Sequence, residues 1–131
     1  MDVHPASDVT SILGGPHFTG RVWLDRLLEK GGDDGLRLYR VFFEPGSRTH
    51  WHSHPGGQSL LIVAGTARTG AKGEPAVVAG PGDVVYTPPG QLHWHGAGPD
   101  GSMVHLAFNP GGKTDWSDDR EVTPEEYEPP A

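Results

Sequence analysis

Between Phe18 and Phe108 the chain reads as short β-rich runs of four to eight residues, each bounded by Gly, Pro, Asp or Asn. A run that short fits an ordinary strand better than a helix, and the bounding residues are those that reverse a backbone. The runs are Phe18–Leu24, Leu36–Phe43, Gln58–Val63, Gly65–Thr69, Ala76–Ala79, Val84–Thr87, Gln91–His95 and Met103–Phe108. Strands of this length and spacing predict an all-β fold, a small antiparallel sandwich or barrel. One stretch is ambiguous. In Leu24–Lys30 the leucines at 24, 27 and 28 have helical spacing, so one turn of helix and a strand end both fit ahead of Gly31 and Gly32.

A length of 131 residues fits a single domain. Its 20 Gly and 13 Pro approach the fraction seen in disordered chains, but 34% of the residues are hydrophobic, so loop-rich β structure explains the composition better. Residues 1–17 are polar and predict an N-terminal arm or a partly disordered segment; residues 36–108 carry the barrel core; residues 109–131 predict an acidic C-terminal tail wrapped on the domain. From Asp115 onward seven acids face only Arg120, which accounts for nearly all of the net charge of −7. The balanced remainder offers no basic footprint for nucleic acid or anionic lipid. No apolar run approaches the length of a membrane span, and no N-terminal leader pattern is evident, so a soluble cytoplasmic protein is expected. The absence of Cys excludes disulfides and thiolate-ligated metal centres.

The chain has eight His, and six of them (His50, His52, His54, His93, His95 and His105) lie between positions 50 and 105. In a strand, residues two apart share a face, so His52 and His54 can address one ion, and His50 has the same parity. Pro55, Gly56 and Gly57 can turn the chain so that Gln58 returns to that side. Beyond the rigid turn at Pro88, Pro89 and Gly90, His93 and His95 also share parity, and an antiparallel partner can set one of them opposite His52 and His54. Surface histidines in wet turns are the bland alternative. Convergent imidazoles without a cation would repel one another when charged and leave nitrogens unpaired when neutral, and a divalent ion removes both problems.

The stretch from Gly46 to Gln58, with His52, His54 and the following Gly65, resembles the first cupin motif. Gly82, Pro88, Gly90 and His93 resemble the second. The resemblance implies a single-domain cupin, a small antiparallel jelly roll, holding one divalent ion (Zn, Mn, Fe or Ni) on His52, His54, Gln58 and His93. Two positions depart from the family pattern, with Gln58 where Glu is usual and Ala97 where Asn is frequent. The ligand set is then neutral, which leaves the ion its full Lewis acidity. A four-histidine site, with His50, His95 or His105 in place of Gln58, is the alternative. His105, in an apolar run, is expected to be either a general base or a core residue. His95 is expected to orient His93 or carry a proton.

Tyr39, Val41, Phe43, His50, Trp94 and Asn109 are expected to line the substrate pocket. Arg37, Arg40 and Arg48 could suggest an anionic substrate, but alternating charges more often mark a solvated strand face. Two open positions on an octahedral ion suit bidentate binding of a carbonyl compound, with a histidine moving the proton; this is the machinery of aldol-type C–C bond chemistry. By resemblance the leading expectation is a polyketide cyclase of the small-cupin type found in resistomycin-type antibiotic biosynthesis. The second is a cupin hydroxynitrile lyase, which the segments around Trp51–Gln58 and His93–Gly96 and the tail at Asp115, Trp116 and Thr123–Tyr127 resemble. An iron-dependent, quercetinase-like dioxygenase and a non-catalytic binding cupin are the rivals. The expected partners are a small aromatic or carbonyl-bearing substrate and a second subunit, through edge-strand pairing or a swapped N-terminal strand.

Overall fold

The computed structural model describes residues 1–131 as two antiparallel sheets enclosing one core. The strands are β1 (Ser11–Leu13), β2 (Phe18–Thr19), β3 (Val22–Lys30), β4 (Leu36–Phe43), β5 (Arg48–Thr49), β6 (Gln58–Ala64), β7 (Ala67–Ala71), β8 (Val77–Ala79), β9 (Val84–Thr87), β10 (His93–Ala97) and β11 (Met103–Pro110), and one short helix, α1 (Pro124–Tyr127), follows. One sheet has six strands in the order β1-β3-β4-β11-β6-β9, the other five in the order β2-β5-β10-β7-β8. The all-β jelly roll expected from the sequence is therefore the fold.

Strand alternation builds the interior. Val41 and Phe43 of β4, Leu60 and Ile62 of β6, Met103 and Ala107 of β11 meet Ala67, Ala79 and Ala97 of the opposite sheet in one buried cluster. Small residues on the five-stranded side against larger ones on the six-stranded side let the sheets close, and one end is left to the histidines.

Of the two readings open for Leu24–Lys30, the structure has strand: β3 pairs with β4 along its length, and a bulge between Arg26 and Leu28 accounts for the irregular spacing of the leucines. The arm is not free, because Ser11–Leu13 add an edge strand to β3. The barrel consequently extends outside residues 36–108. The tail does wrap the domain: Asp115 pairs with Ser53 through two backbone hydrogen bonds, and Thr123 and Glu126 form a reciprocal cap on α1.

That wrapping creates a second buried cluster on the outer side of β10, where Trp51, Ala76 and Trp94 meet Val122 and Tyr127. Trp94 lies over Gly70, its cross-strand partner, where a Cβ would sit 2.6 Å from the indole nitrogen. The Tyr127 hydroxyl donates to the Ala97 carbonyl at 2.6 Å. Arg48 and Arg68 stand over the Tyr127 ring at 4.3 and 4.5 Å.

Candidate metal centre and pocket

His52 and His93 are brought together by a single antiparallel bridge between their backbones, N–H to carbonyl at 2.9 Å in both directions. Their rings stand 4.3 Å apart, with His54 5.0 Å from His52 and 5.4 Å from His93. All three are buried. Each ring is oriented through Nδ1. That of His52 donates to the His50 carbonyl at 2.9 Å, that of His93 donates to the Gln91 carbonyl at 3.1 Å, and that of His54 meets the Thr114 hydroxyl at 3.3 Å. The neutral imidazoles therefore turn their Nε2 lone pairs inward.

Gln58 and His93 are the informative pair. The Gln58 amide nitrogen donates to Asn109 Oδ1 at 2.9 Å, leaving its oxygen 3.0 Å from His93 Nε2. With the His93 proton already committed to Gln91, two lone pairs face each other in a buried site, an arrangement that a cation resolves. His54 Nε2 is buried without any partner. These residues thus fit a divalent ion by the chemistry of their donor atoms.

Burial also sets the protonation. It depresses the His93 pKa to about 4. Burial, then repulsion from His93 and Arg37, depresses His54 to about 3. His52 is pushed well below its ordinary value by burial and then by His93 and His54. All three are neutral imidazoles at neutral pH.

Behind them lies a second pair. His95 Nδ1 and His105 Nε2 are 3.0 Å apart, while His95 Nε2 and His105 Nδ1 are buried without partners. Burial lowers His105 to about 3, and burial and then His105 lower His95. His95 also offers a ring nitrogen within 4.8 Å of those of His52 and His93, so these three histidines form a group that could hold a metal ion, with His105 behind it.

A cavity of about 260 Å³ opens onto these groups. Of the expected lining residues, Tyr39, Val41, Phe43 and Asn109 face it. Trp94 and His50 do not. Trp94 belongs to the outer cluster, because alternation along β10 turns it away from His93 and His95. His50 donates to Asp119 at 3.0 Å, since the chain bends between β5 and His52 and the simple parity argument breaks there: Thr49, not His50, faces the cavity. Arg37, Arg40 and Arg48 are held by tail carbonyls, by Asp25, and by the Gly46 and Val122 carbonyls.

Wall residues from the termini were not anticipated. Trp116 packs 4.6 Å from the His52 ring, and His17 stacks on it at 4.2 Å and 7°. Phe18 meets its edge, and Thr114 completes this side. The one available signal was a tryptophan standing alone in an acidic tail.

A family model described as a cupin domain matches residues 39–114. The (R)-mandelonitrile lyase of Granulicella tundricola is 42% identical over 113 residues, covering 84% of this chain and 85% of the relative. A crystal structure of a cupin-like protein from Thermotoga maritima superposes with a TM-score of 0.77 at 41% identity, covering 95% of this chain and 89% of that one. A polyketide cyclase from Streptomyces resistomycificus gives 0.73 at 19% identity, with 97% and 90% covered, a likeness of fold.

Proposed function

Starting from a chain that belongs to the cupin family, we propose a metal-dependent C–C lyase of the hydroxynitrile type, acting on the cyanohydrin of a small aromatic aldehyde. The relative named a mandelonitrile lyase supports the lyase over the cyclase that the sequence put first. The cavity is compatible with it: about 260 Å³, open on one side, has room for a one-ring cyanohydrin. The apolar wall formed by Phe18, Leu24, Tyr39, Val41, Phe43 and Trp116 suits an aromatic ring.

The single observation that carries the site is the convergence of Gln58 Oε1 and His93 Nε2 at 3.0 Å with their donors engaged elsewhere. His52, His54, Gln58 and His93 would hold the ion. When bound, it supplies a Lewis acid for the oxygen of the substrate. The His95–His105 pair, kept neutral by burial, takes the hydroxyl proton of the cyanohydrin. As the carbonyl forms, the C–C bond breaks and its electron pair leaves with cyanide. The imidazolium then returns the proton to cyanide, releasing aldehyde and hydrogen cyanide. Trp116, packed on His52, excludes water from that side.

The test is incubation of the metal-loaded protein with mandelonitrile under nitrogen. Benzaldehyde and cyanide in equal amounts are expected, at a rate unchanged by oxygen. Strict oxygen dependence would overturn this reading in favour of the dioxygenase, and ligand-induced stabilisation without product in favour of the binding protein.

A further inference from the structure

On the lyase reading, which supplies the reaction, we propose that the open end of the pocket is an anion site. The cyanohydrin taken by this protein carries a carboxylate on its ring, held by Arg26, Arg37 and Lys113 while the reacting carbon faces the histidines. The inner face of the six-stranded sheet changes character along its strands. Val22 and Leu24 of β3 pack on the core, and the next residue of that parity is Arg26, opposite Tyr39 of β4. Along β4 the row of Phe43, Val41 and Tyr39 ends in Arg37, opposite Asn109. Arg26 lines the cavity, and the bulge directly after it breaks the regular pairing, a device that re-aims side chains beside sites. A second cavity, of about 580 Å³, shares Tyr39, Thr114 and Trp116 with the first and adds Arg37 and Lys113. At this junction the Tyr39 hydroxyl donates to Glu29 at 3.1 Å. Burial and then Glu29 raise the Tyr39 pKa while Arg37 and Arg26 act against them, so both guanidiniums lie near that hydroxyl.

The distribution of charge singles these residues out. The chain has 17 acids against 10 bases, so a base without an acid is the exception. Arg21, Lys30, Arg40, Arg68 and Arg120 are ion-paired. Of the others, Arg48 lies on the Tyr127 ring beneath the tail, and Lys72 stands in the turn after β7. The remaining three, Arg26, Arg37 and Lys113, all line the two joined cavities. Arg37 gives one terminal nitrogen to the Gly111 and Gly112 carbonyls and has no carboxylate. The acids on the same rim are Glu29, engaged by Tyr39, and Asp33, while Lys30 is taken by Asp2. Three cations against two acids make this mouth positive on a protein of net charge −7, which concentrates anions there. A guanidinium also matches a carboxylate through two parallel hydrogen bonds. An unsubstituted ring in the inner cavity would leave all three charges to water, whereas a carboxylate on its far side extends toward them.

Metal-loaded protein should cleave the cyanohydrin of 4-formylbenzoate with kcat/KM about tenfold or more above that of 4-formylbenzamide, a neutral group of the same shape. Most of the difference should lie in KM and should weaken as salt is added. The double substitution Arg26→Gln, Lys113→Gln, at two exposed positions, should remove most of that ratio. Arg37 is left in place because it holds the tail. Should the double variant fail to fold, Arg26→Gln alone carries the comparison. Calorimetry gives a readout that needs no turnover: 4-formylbenzoate should bind the metal-loaded protein more tightly than 4-formylbenzamide, and the double substitution should bring the two together. Equal handling of the two compounds by the unmodified protein overturns the proposal, and the lyase reading survives without it if mandelonitrile is cleaved. A preference untouched by the double substitution also overturns it and puts the carboxylate on the ion instead of at the mouth. Binding that follows the charge and the arginine, with no cyanohydrin cleaved, supports the anion site and overturns the lyase reading alone.

Discussion

The two sides of one short stretch of chain were built for opposite ends. His52, His93 and His95 point into the barrel, while their neighbours Trp51 and Trp94 point out beneath the tail. The outer side makes its contacts within the protein: Tyr127 donates to a backbone carbonyl, two arginines lie on its ring, and Arg120 covers Trp51. The inner side leaves nitrogens of His54, His95 and His105 buried without partners and sets an amide oxygen against an imidazole lone pair. Both sides are buried, and the outer one also keeps an unpaired donor in Trp51 Nε1, so neither burial nor a single orphaned atom separates them. What separates them is convergence: the inner side gathers several imidazole nitrogens and an amide oxygen around one point, a cost that a cation there recovers.

The contrast is broken most severely by His52→Ala. Metal content and turnover should both disappear, while the near-ultraviolet dichroism of the outer tryptophans stays as it was; full metal occupancy would refute the ligand assignment. His105→Ala is the next largest. Metal should be retained and kcat should fall by about 10²–10⁴, the usual contribution of a positioned proton carrier. Stopped-flow turnover with metal analysis decides between that role and a structural one, which an unchanged rate would establish.

Acid sharpens the same contrast in the metal-free chain. His93 titrates near 6.5 when unfolded and is held to about 4 when folded, so the unfolded chain binds the extra proton between those values. Stability is complete above about pH 6.5 and falls as the pH drops toward 4. His93 alone should cost about 3 kcal/mol across that window. Thermal melts of metal-free protein from pH 7 to 4 should show the fall, and a flat profile would mean that the inner histidines are not buried neutral.

The barrel and its motif histidines were legible because both rest on local rules. Short punctuated runs specify strands, and HxH with a later His specifies convergence once the two segments pair. Three features were not legible, each for a physical reason. A bulge after Arg26 imitates helical spacing, which no periodicity count separates from a turn of helix. His50 keeps the parity of His52 only if the chain stays extended, and it bends at Trp51. Trp94 shares its neighbourhood with two site histidines, yet alternation sends it to a cluster whose other members, Val122 and Tyr127, come from the tail. The wall at His17 and Trp116 likewise depends on both termini folding back, a contact between residues nearly a hundred positions apart.

Tyr127→Phe asks whether the two sides are independent at all. The lost hydroxyl leaves the Ala97 carbonyl without the partner it has at 2.6 Å, which should cost about 1 kcal/mol and lower the melting temperature by a few degrees. Metal content and turnover should not change if the outer cluster only stabilises the sheet. Ala97, however, ends the strand that holds His93 and His95, and the tail that Tyr127 anchors also carries Trp116 against His52. A fall in kcat with metal retained would therefore mean that the anchored tail positions the site from behind, and that the outer side of the strand sets the geometry of the inner one.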